Sequence, residues 1–444
     1  MKKQYKLIIG TGQTCQSCID YFTKTTIEYK IFDTRDISCI NKSIINLTNK
    51  NNFRFGYYEE AFLDDIDEAI VSPGLDINQK IINDLNQRSI PIITDIDFFK
   101  RLSDCKIISV TGTNGKTTIV TMLEYLLNQL DIKAKACGNN GISPFITLED
   151  KFDYIIIELS SYQLQYMNNF KSYVSLISNI EDDHLERHNS FENYLNIKKK
   201  IFKNSEITFC HNNLLEYMDD VLNIRKYGYV EDDINHHSQK IYMDDTIIEN
   251  LKIDKQNIYY DDISCNYRGT HNLDNILAVL SIANNLYNKK DFFKKSIRIL
   301  NDFNFLPHRI EFIRSINDVK YYNDSKSTNV FSTITALKYL RKNIILIMGG
   351  SKKNLDYGKL NNYINHHVKL LVLLGENKNI INKQITTNVP KILCKTIEES
   401  VRVSYDKAKP YDFVLLSPGS PSFDMYTDFE ERGNAFIEAV NSLD

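Results

Sequence analysis

The stretch KIISVTGTNGKT, residues 106–117, joins an apolar run to a short glycine-containing loop that ends in Lys-Thr. Behind it, apolar side chains recur at helical spacing, at Ile119, Leu123, Leu126, Leu127 and Leu130. A strand, such a loop and a helix, in this order, are typical of the loop that binds the phosphates of ATP. The stretch therefore predicts a parallel α/β sheet that holds a nucleotide where one of its strands ends.

Each part of this loop has a chemical task. Gly112 and Gly115 let the backbone curve until its N–H groups point at phosphate oxygens, and the following helix adds a favourable dipole. Lys116 would neutralise phosphate charge, and the hydroxyl of Thr117 would bind Mg²⁺. The general pattern has glycine where this chain has Val110, so a plain glycine turn before a helix is the alternative. The expected ATP contacts in the loop are Gly112, Thr113, Asn114, Gly115, Lys116, Thr117 and Thr118.

Segments before and after this one have the same rhythm of strand, loop and helix. Short apolar runs that end in glycine, proline or polar residues predict parallel strands. The expected fold is α/β with three domains: a Rossmann-like domain at 1–95, a central P-loop ATPase-type parallel-sheet domain at 96–302, and a Rossmann-like domain at 303–444. The predicted strands are Leu7–Ile9, Tyr29–Phe32, Ala69–Val71, Ile90–Ile93, Lys106–Val110, Tyr154–Ile157, Val174–Ile177, Ile344–Met348, Leu370–Leu374 and Phe413–Leu416.

The composition points to a soluble protein. Of 444 residues, 42% are hydrophobic and 25% are charged, which is ordinary for a globular chain. A net charge of -3 gives no general attraction to nucleic acid or anionic membranes, and no apolar run approaches the length that spans a bilayer. The eight cysteines are scattered, as expected of free thiols in a reducing compartment. We therefore expect a cytoplasmic protein that binds small molecules, without nucleic acid or membrane insertion.

Polar residues follow two strands of the central segment. Glu158 ends the apolar run Tyr-Ile-Ile-Ile, where a carboxylate in the same sheet as a phosphate loop is well placed for Mg²⁺; a surface glutamate is the alternative. His184 follows the next strand, so a ligand or acid–base role competes with a structural one. By their pattern alone, Lys198, Lys199 and Lys200 are typical of a solvated helix face.

Three other stretches carry polar or glycine clusters. Gly10-Thr11-Gly12 with Asp33 resembles part of a dinucleotide fingerprint, but Cys15 stands where its third glycine belongs. This favours a nucleotide-binding turn over an NAD site. NDSKSTN at 323–329 and LSPGSPSFD at 416–424 gather polar side chains, and each taken singly fits helix capping and turns.

Together and in this order, these motifs resemble those of the Mur ligases, and the resemblance runs through essentially the whole chain. Motifs shared across the wider family are TGTNGKT at 111–117, GTHNLDN at 269–275 and LPHR at 306–309. Motifs that look like those of the D-glutamate-adding branch are LSSYQL at 159–164, NDSKSTN at 323–329 and LSP…SFD at 416–424.

The resemblance implies a reaction. ATP would phosphorylate the carboxylate of UDP-N-acetylmuramoyl-L-alanine, and the amine of D-glutamate would attack the resulting acyl phosphate. ADP and phosphate would leave, in a step of cytoplasmic peptidoglycan precursor synthesis. The implied cofactors are ATP and Mg²⁺, and closure of the third domain over the second would exclude water. We expect the enzyme to be a monomer.

The resemblance also implies roles residue by residue. The catalytic residues would be Lys116, His184, Lys198 and Arg309, and further ATP contacts would be Asn272, Arg309 and Asp324. One Mg²⁺ would bind Thr117 and Glu158, a second would bind His184, and Lys198, as a carbamate, would bridge to metal. The UDP-substrate contacts would be Thr11, Gln13, Thr14, Asp33, Thr34, Ser72, Gly74, Asn139, Ser160 and Ser161. The D-glutamate contacts would be Lys326, Thr328, Lys353, Ser422 and Phe429.

Alternative functions stay open at this stage. The first is another Mur-type or folylpolyglutamate-type ligase with a different amino acid acceptor. The second is a nicotinamide oxidoreductase, suggested by Gly10, Gly12 and Asp33, although it leaves Lys116 and Thr117 unexplained. The third is a nucleotide-gated binding protein without catalysis.

Overall fold

The structure is a computed structural model, and it describes residues 4–40, 44–45, 52–167, 170–231, 239–243, 246–247, 251–253, 257–260, 263–267, 270–287, 289–353 and 355–443. The chain divides into two compact units, a larger one that comprises mainly the residues up to Phe303 and a smaller one that comprises mainly Asn304–Asp444. Both units are built from helices and sheets.

Within the described ranges, the strands form four sheets. The first contains β1 (Tyr5–Ile9), β2 (Tyr29–Asp33), β3 (Phe53–Phe55), β4 (Ile66–Val71) and β5 (Ile92–Ile93). The second contains β6 (Lys106–Thr111), β7 (Ala134–Gly138), β8 (Tyr154–Glu158), β9 (Val174–Ile177), β10 (Ile207–His211), β11 (Ile224–Glu231), β12 (Gln239–Met243) and β13 (Thr246–Ile247). The small third contains β14 (Leu251–Ile253), β15 (Asn257–Tyr260) and β16 (Ile263–Asn266). The fourth contains β17 (Glu311–Ile316), β18 (Val319–Asn323), β19 (Ile344–Gly349), β20 (Val368–Leu374), β21 (Lys391–Leu393) and β22 (Phe413–Leu416).

Helices connect most of these strands. In the larger unit they are α1 (Gln13–Thr25), α2 (Lys80–Gln87), α3 (Asp95–Leu102), α4 (Lys116–Gln129), α5 (Ser161–Tyr166), α6 (Leu185–His188), α7 (Phe191–Lys199), α8 (Thr270–Tyr287) and α9 (Phe292–Asn301). In the smaller unit they are α10 (Val330–Leu340), α11 (Asn361–His367), α12 (Lys378–Gln384), α13 (Ile397–Lys407) and α14 (Phe429–Asn441). None of the helices described here is long and apolar enough to cross a membrane.

The first sheet is parallel, in the order β3-β2-β1-β4-β5. Its central strand is apolar throughout its second half, and Leu7, Ile8 and Ile9 are fully buried in hydrophobic cores on both faces. Near-continuous apolar strands are what a sheet covered on both faces requires. Gly10 directly follows β1 and Asp33 ends β2, so both lie at the carboxyl edge of this parallel sheet, where ligands bind in such folds.

The second sheet places β6 between β8 and β9, with all three strands parallel. Val110 pairs with Glu158 on one side and with Leu176 on the other. The phosphate loop thus leaves the middle of the sheet, and Glu158 ends the neighbouring strand at the same edge. This register brings a candidate metal ligand next to the loop.

The fourth sheet has the order β17-β18-β22-β19-β20-β21, in which β17 runs antiparallel to β18 and the other pairs are parallel. The last strand of the chain, β22, lies between β18 and β19. As a result Asp324 and Ser417, far apart in sequence, follow neighbouring strands, and the Asp324 N–H donates to the carbonyl of Leu416 at 2.8 Å.

The predicted α/β class is confirmed, and the ten predicted strands are present. Val174–Ile177 and Phe413–Leu416 have the predicted bounds. The strand predicted at Ile90–Ile93 begins only at Ile92, because Pro91 has no N–H to donate to the sheet. The boundaries of the three predicted domains stay a prediction.

Candidate active site

The phosphate loop is tied down by its own neighbours. The N–H of Thr113 donates to the Asn179 carbonyl at 2.9 Å, and the N–H of Asn114 donates to Asn179 Oδ1 at 2.8 Å. Lys116 Nζ donates to the carbonyls of Gly112 and Thr113, both at 2.9 Å. The ammonium group is therefore held against the loop that it is predicted to serve.

Both loop glycines lie close to neighbouring side chains. Gly115 has φ +80°, and a Cβ there would lie 2.4 Å from Asn275 Oδ1; a Cβ at Gly112 would lie 2.0 Å from Ser178 Oγ. Asn275 Nδ2 in turn donates to Asn272 Oδ1 at 3.2 Å. Helix α8, which carries the predicted ATP contact Asn272, thus packs against the loop.

Glu158 is a buried carboxylate at the edge of the second sheet. Its Oε1 accepts a hydrogen bond from Asn139 Nδ2 at 2.8 Å, while its Oε2 has no hydrogen-bond partner among the described residues. A buried acceptor without a partner is costly, and a cation at this point would relieve the cost. Of the two threonines that follow Lys116 in α4, Thr117 is half-buried and Thr118 is buried.

His184 has a backbone conformation that is uncommon for histidine, with φ +54°. Its Nδ1 lies 3.0 Å from the Tyr162 hydroxyl, its N–H donates to Asp183 Oδ1 at 2.9 Å, and its Nε2 lies 3.7 Å from Asp183 Oδ2. In the described part of the chain, no three His, Cys, Asp or Glu side chains are arranged to hold a metal ion. A metal ion at Glu158 or His184 would therefore need further oxygen ligands that do not come from Asp or Glu side chains.

Lys198 lies on α7 and is 1% exposed, so the solvated face expected from the pattern alone is wrong for this residue. Its Nζ donates to the Gly112 carbonyl at 2.8 Å. Burial, and after it the charge of Lys116, lower the pKa of Lys198 well below its usual value, although Asp183 and Glu158 oppose the shift. The amine is thus driven towards its uncharged, nucleophilic form.

A cavity of about 410 Å³ opens inside the larger unit. The predicted site residues that line it are Ser72, Gly74, Gly112, Thr113, Lys116, Asn139, Ser160, Ser161, His184 and Lys198. Its lining also includes residues that were not among the predicted site residues, such as Ser17, Asp95, Tyr162, Asp183 and Tyr194. The cavity therefore joins the ligand edge of the first sheet to the phosphate loop of the second.

Thr11, Asp33 and Arg35 form a network at the edge of the first sheet. Thr11 Oγ1 donates to Asp33 Oδ2 at 2.7 Å, and the Arg35 guanidinium donates to Asp33 Oδ2 and Thr11 Oγ1, both at 2.9 Å. Burial raises the pKa of Asp33, but hydrogen bonds from Arg35 and Thr11 outweigh it and hold that pKa below its usual value. Thr34, between the two charged residues, is exposed.

The neighbouring turn is narrow. Gly10 has φ +98°, and a Cβ there would lie 2.8 Å from the Cβ of Ser72. Ser72 and Gly74 follow β4 and line the cavity. Gln13 and Thr14 begin α1, but their side chains are outside the described part of the structure.

Ser160 and Ser161 begin the helix after Glu158. The Ser160 hydroxyl accepts the N–H of Gln163 at 3.2 Å and so caps α5. Ser161 Oγ lies 3.0 Å from His188 Nε2. Burial lowers the pKa of His188 to about 4, with the charge of His184 adding to the effect, so the ring is neutral at pH 7.

In the smaller unit, the Asp324 carboxylate accepts hydrogen bonds from Ser327 Oγ at 2.5 Å and Ser417 Oγ at 2.8 Å. Burial raises the pKa of Asp324 to about 7, although these two hydrogen bonds and the charge of Arg309 oppose the shift. Arg309 itself is half-buried. The motifs at 323–329 and 416–424 therefore meet in space at Asp324 and Ser417.

The predicted D-glutamate contacts also belong to the smaller unit. Lys326 Nζ lies 3.8 Å from the centre of the Phe429 ring, so the structure brings these two residues together. Ser422 is buried, whereas Thr328 and Lys353 are half-buried. The smaller unit thus offers two lysines, two hydroxyl groups and one aromatic ring as predicted contacts for D-glutamate.

Sequence reasoning missed Arg432, a buried arginine on α14. Its guanidinium donates to Ser325 Oγ at 3.0 Å, to the Ser325 carbonyl at 2.7 Å and to the Ser420 carbonyl at 3.0 Å. No local sequence pattern marks Arg432, because its partners Ser325 and Ser420 follow the strands β18 and β22. Arg35 was also missed, although a cation two residues after Asp33 is a signal that could have been recognised.

Family models cover most of the chain. The "Mur ligase MurD-like, N-terminal domain" matches residues 4–94, the "Mur ligase middle domain" matches 110–283, and the "Mur ligase, glutamate ligase domain" matches 308–419.

Solved structures share the fold at low sequence identity. A pseudomurein peptide ligase type C from Methanothermus fervidus is 17% identical with a TM-score of 0.60, over 98% of this chain and 99% of that chain. A MurF ligase from Thermotoga maritima in complex with ADP is 15% identical with a TM-score of 0.60, over 99% of this chain and 96% of that chain. These matches support the α/β fold.

Full-length relatives are closer in sequence, and all three of the following are named UDP-N-acetylmuramoylalanine--D-glutamate ligase. The protein of Thermoanaerobacter sp. (strain X514) is 31% identical over 100% of this chain and 99% of its own length. That of Bdellovibrio bacteriovorus is 31% identical over 100% and 98%, and that of Buchnera aphidicola subsp. Schizaphis graminum is 34% identical over 98% and 98%. The chain belongs to the Mur ligase family, and these three full-length relatives are named as its D-glutamate ligases.

Proposed function

We propose that this chain is the ATP-dependent ligase that joins D-glutamate to UDP-N-acetylmuramoyl-L-alanine in peptidoglycan precursor synthesis. The observation that carries the proposal is the cavity, which connects Ser72 and Gly74 to Lys116 and Lys198. A substrate with a nucleotide at one end and a reacting carboxylate at the other needs a passage of this kind. The name shared by the full-length relatives supports the same two reactants.

In the first step, a carboxylate oxygen of the UDP-substrate attacks the γ-phosphorus of ATP. The bond from that phosphorus to ADP breaks, and an acyl phosphate forms. Two anions must approach each other, so positive charge has to neutralise them. Lys116 and the N–H groups of the phosphate loop supply it, and the family resemblance adds ATP contacts at Asn272, Arg309 and Asp324.

In the second step, the amine of D-glutamate attacks the acyl carbon, the phosphate leaves, and the amine loses its extra proton as the amide forms. The two carboxylates of D-glutamate call for cations and hydrogen-bond donors. Lys326 and Lys353 meet the first need, and Thr328 and Ser422 meet the second. Phe429, in contact with Lys326, fixes the direction of that lysine.

The residues around the phosphate loop fit Mg²⁺, because Glu158 Oε2 is buried and has no hydrogen-bond partner in the described structure. Thr117 and Glu158 would hold one Mg²⁺, His184 would hold a second, and a carbamylated Lys198 would be a further metal ligand. When bound, Mg²⁺ would neutralise phosphate charge.

The buried Lys198 is suited to carbamylation. Its lowered pKa makes the uncharged amine available, and that amine can add to CO₂ with release of one proton. The product is an anion that is attracted by Lys116 and repelled by the carboxylates of Asp183 and Glu158, and Mg²⁺ bound beside these carboxylates would offset the repulsion. The carbamate is therefore the form of Lys198 that suits a site with bound Mg²⁺.

We further propose that the enzyme works as a monomer in the cytoplasm, where its nucleotide substrates are made. A ligation assay tests the function. Purified protein with ATP, Mg²⁺ and UDP-N-acetylmuramoyl-L-alanine should release phosphate with D-glutamate, and not with L-alanine, L-lysine or L-glutamate. Turnover with one of those amino acids in place of D-glutamate would instead establish a ligase with a different acceptor.

A further inference from the structure

Asp95, the first residue of α3, carries a carboxyl group that the reaction above does not use. The residue is 3% exposed, and its Oδ1 has no hydrogen-bond partner among the described residues. Leaving a buried polar atom unpaired costs a folded protein free energy. A side chain that persists at such a cost in the wall of a cavity points to a ligand that completes its hydrogen bonding.

The surroundings of Asp95 offer it little compensation. The electrostatic neighbours that the structure gives it are the buried thiols of Cys15, Cys18 and Cys137 and the carboxylate of Asp97. None of the ion pairs in the described residues includes Asp95. Burial, with a contribution from Asp97, raises the pKa of Asp95 to about 7, and hydrogen bonds from backbone N–H groups at the start of α3 only partly oppose this.

The carboxyl group is also held in a fixed position. Thr94 and Asp97 form a reciprocal capping box at the start of α3, with Thr94 Oγ1 accepting the N–H of Asp97 at 3.1 Å. Phe98 and Phe99 on the same helix are buried in the core. Asp95 is therefore pre-organised in the lining of the cavity that reaches Ser72 and Lys116.

We propose that Asp95 is a substrate-binding residue whose carboxyl accepts a hydrogen bond from an N–H or O–H group in the amino-sugar part of the UDP-substrate. This rests on the proposed function. A carboxyl with no cation beside it would repel the diphosphate and the reacting carboxylate of the substrate. The part between those two anionic ends is neutral and carries amide and hydroxyl donors, which match an unpaired acceptor.

Calorimetric titration of two variants tests this assignment. Asp95→Leu removes the acceptor at similar size, and we expect it to weaken binding of UDP-N-acetylmuramoyl-L-alanine at least about tenfold. Asp95→Asn keeps one hydrogen-bond acceptor without the charge and should lose less affinity for this substrate. UDP alone should bind both variants as it binds the wild type, because it lacks the amino sugar. The melting temperature of the ligand-free Asp95→Leu protein shows whether the fold survives the loss of the backbone N–H hydrogen bonds that Asp95 accepts.

Asp97→Asn is the matched control, because it weakens the capping box of the same helix without touching the proposed contact. We expect it to lower the melting temperature and to weaken binding of the UDP-substrate much less than Asp95→Leu does. The assignment is overturned if Asp95→Leu binds the UDP-substrate as tightly as the wild type, if it loses UDP equally, or if Asp97→Asn weakens binding to the same extent. Wild-type protein that fails to bind UDP-N-acetylmuramoyl-L-alanine at all would overturn the proposed function, and this inference with it.

Discussion

At Lys198, burial and the charge of Lys116 both lower the pKa of one amine, against the opposing charges of Asp183 and Glu158. The side chain lies in the core behind the phosphate loop, and its main electrostatic neighbour of like sign is Lys116. Two ammonium groups at such a site are unfavourable, so one of them has to lose its charge or reverse it. Carbamylation reverses it, and the physical chemistry of the position therefore supports a role that the lysine-rich pattern at 198–200 hides.

Lys198→Arg should lower the rate of ligation by about a hundredfold or more, because a guanidinium cannot form the carbamate and keeps its positive charge. The assay is phosphate release with D-glutamate. Carbon-13 NMR of protein equilibrated with labelled CO₂ gives an independent readout, in which the wild type shows a carbamate carbon and the variant does not. Lys199→Arg, next in sequence but paired with Asp220, should retain both activity and signal. A labelled carbamate that persists in Lys198→Arg would place it on another lysine.

Asp324 should make the stability of the smaller unit depend on pH. Its pKa is raised to about 7 in the folded protein, above the value of 3.8 for an ordinary aspartate, so the folded state holds its proton longer than the unfolded state does. The stabilisation is complete below pH 4 and is lost as the pH rises towards 7. We expect the free energy of unfolding to fall by about 2 kcal/mol between pH 5 and 7 relative to Asp324→Asn.

Urea unfolding of both proteins, followed by circular dichroism at pH 5 and at pH 7, measures this difference. The variant supplies the control, because every other titrating group is the same in the two proteins. An equal change of stability with pH in wild type and variant would contradict the raised pKa of Asp324.

Among the elements, the phosphate loop shows how a backbone conformation and its surroundings jointly select glycine. Gly115 combines a positive φ of 80° with a neighbour, Asn275 Oδ1, that would lie 2.4 Å from an added Cβ. Gly56 has a similar φ of 66°, but no atom lies within 4 Å of the place where its Cβ would be. A comparison of Gly115 with Gly56 therefore separates the free-energy cost of a side chain at positive φ from the cost of the steric collision.

Gly115→Ala should therefore weaken ATP binding at least about tenfold, because the loop must move away from α8 to relieve the collision. Gly56→Ala should lose only about 1 kcal/mol of stability and bind ATP as the wild type does. Fluorescence titration with a labelled ATP analogue measures both. Wild-type affinity in Gly115→Ala would show that the loop adjusts freely and that its glycine is not needed.

Several elements could be predicted from the sequence because their signals are local. The strands β9 and β22 were predicted with their observed bounds, since β22 is a continuous apolar run and β9 is interrupted only by the small residue Ser175. Strand β7 was missed, because Lys135 interrupts a short run of small residues. The β17–β18 hairpin was missed as well, since Phe312 is 52% exposed and blurs the alternation of buried and exposed positions.

The distinction between local and long-range signals also applies to the candidate active site. Lys116 and Thr117 stand in a contiguous motif, so their neighbours in space are their neighbours in sequence. The importance of Asp95 and Arg432 depends on burial and on partners from distant elements, such as Ser325 for Arg432. A single sequence contains no direct record of either property, and the two residues became visible only in the folded chain.

On the scale of the whole molecule, the larger unit links two sheets through one cavity. Residues after β4 and residues of the phosphate loop line the same space, and hydrophobic residues of both sheets belong to one core. One ligand that fills this cavity therefore contacts residues that follow strands of two different sheets. Its binding energy should be distributed over both of them.

Hydrogen exchange measured by mass spectrometry tests this coupling. UDP-N-acetylmuramoyl-L-alanine should slow amide exchange both in residues 72–75 and in residues 112–118, whereas ADP should slow it only in the phosphate loop. At a ligand concentration about a hundred times Kd, the stabilisation is about 2.7 kcal/mol, which is enough to slow exchange that occurs through opening of the site. Lys116→Ala should lose the effect of ADP and keep the protection of residues 72–75 by the UDP-substrate. Protection of the first sheet alone by the UDP-substrate would mean that it ends before the phosphate loop, and that the cavity does not connect the two ends of the reaction.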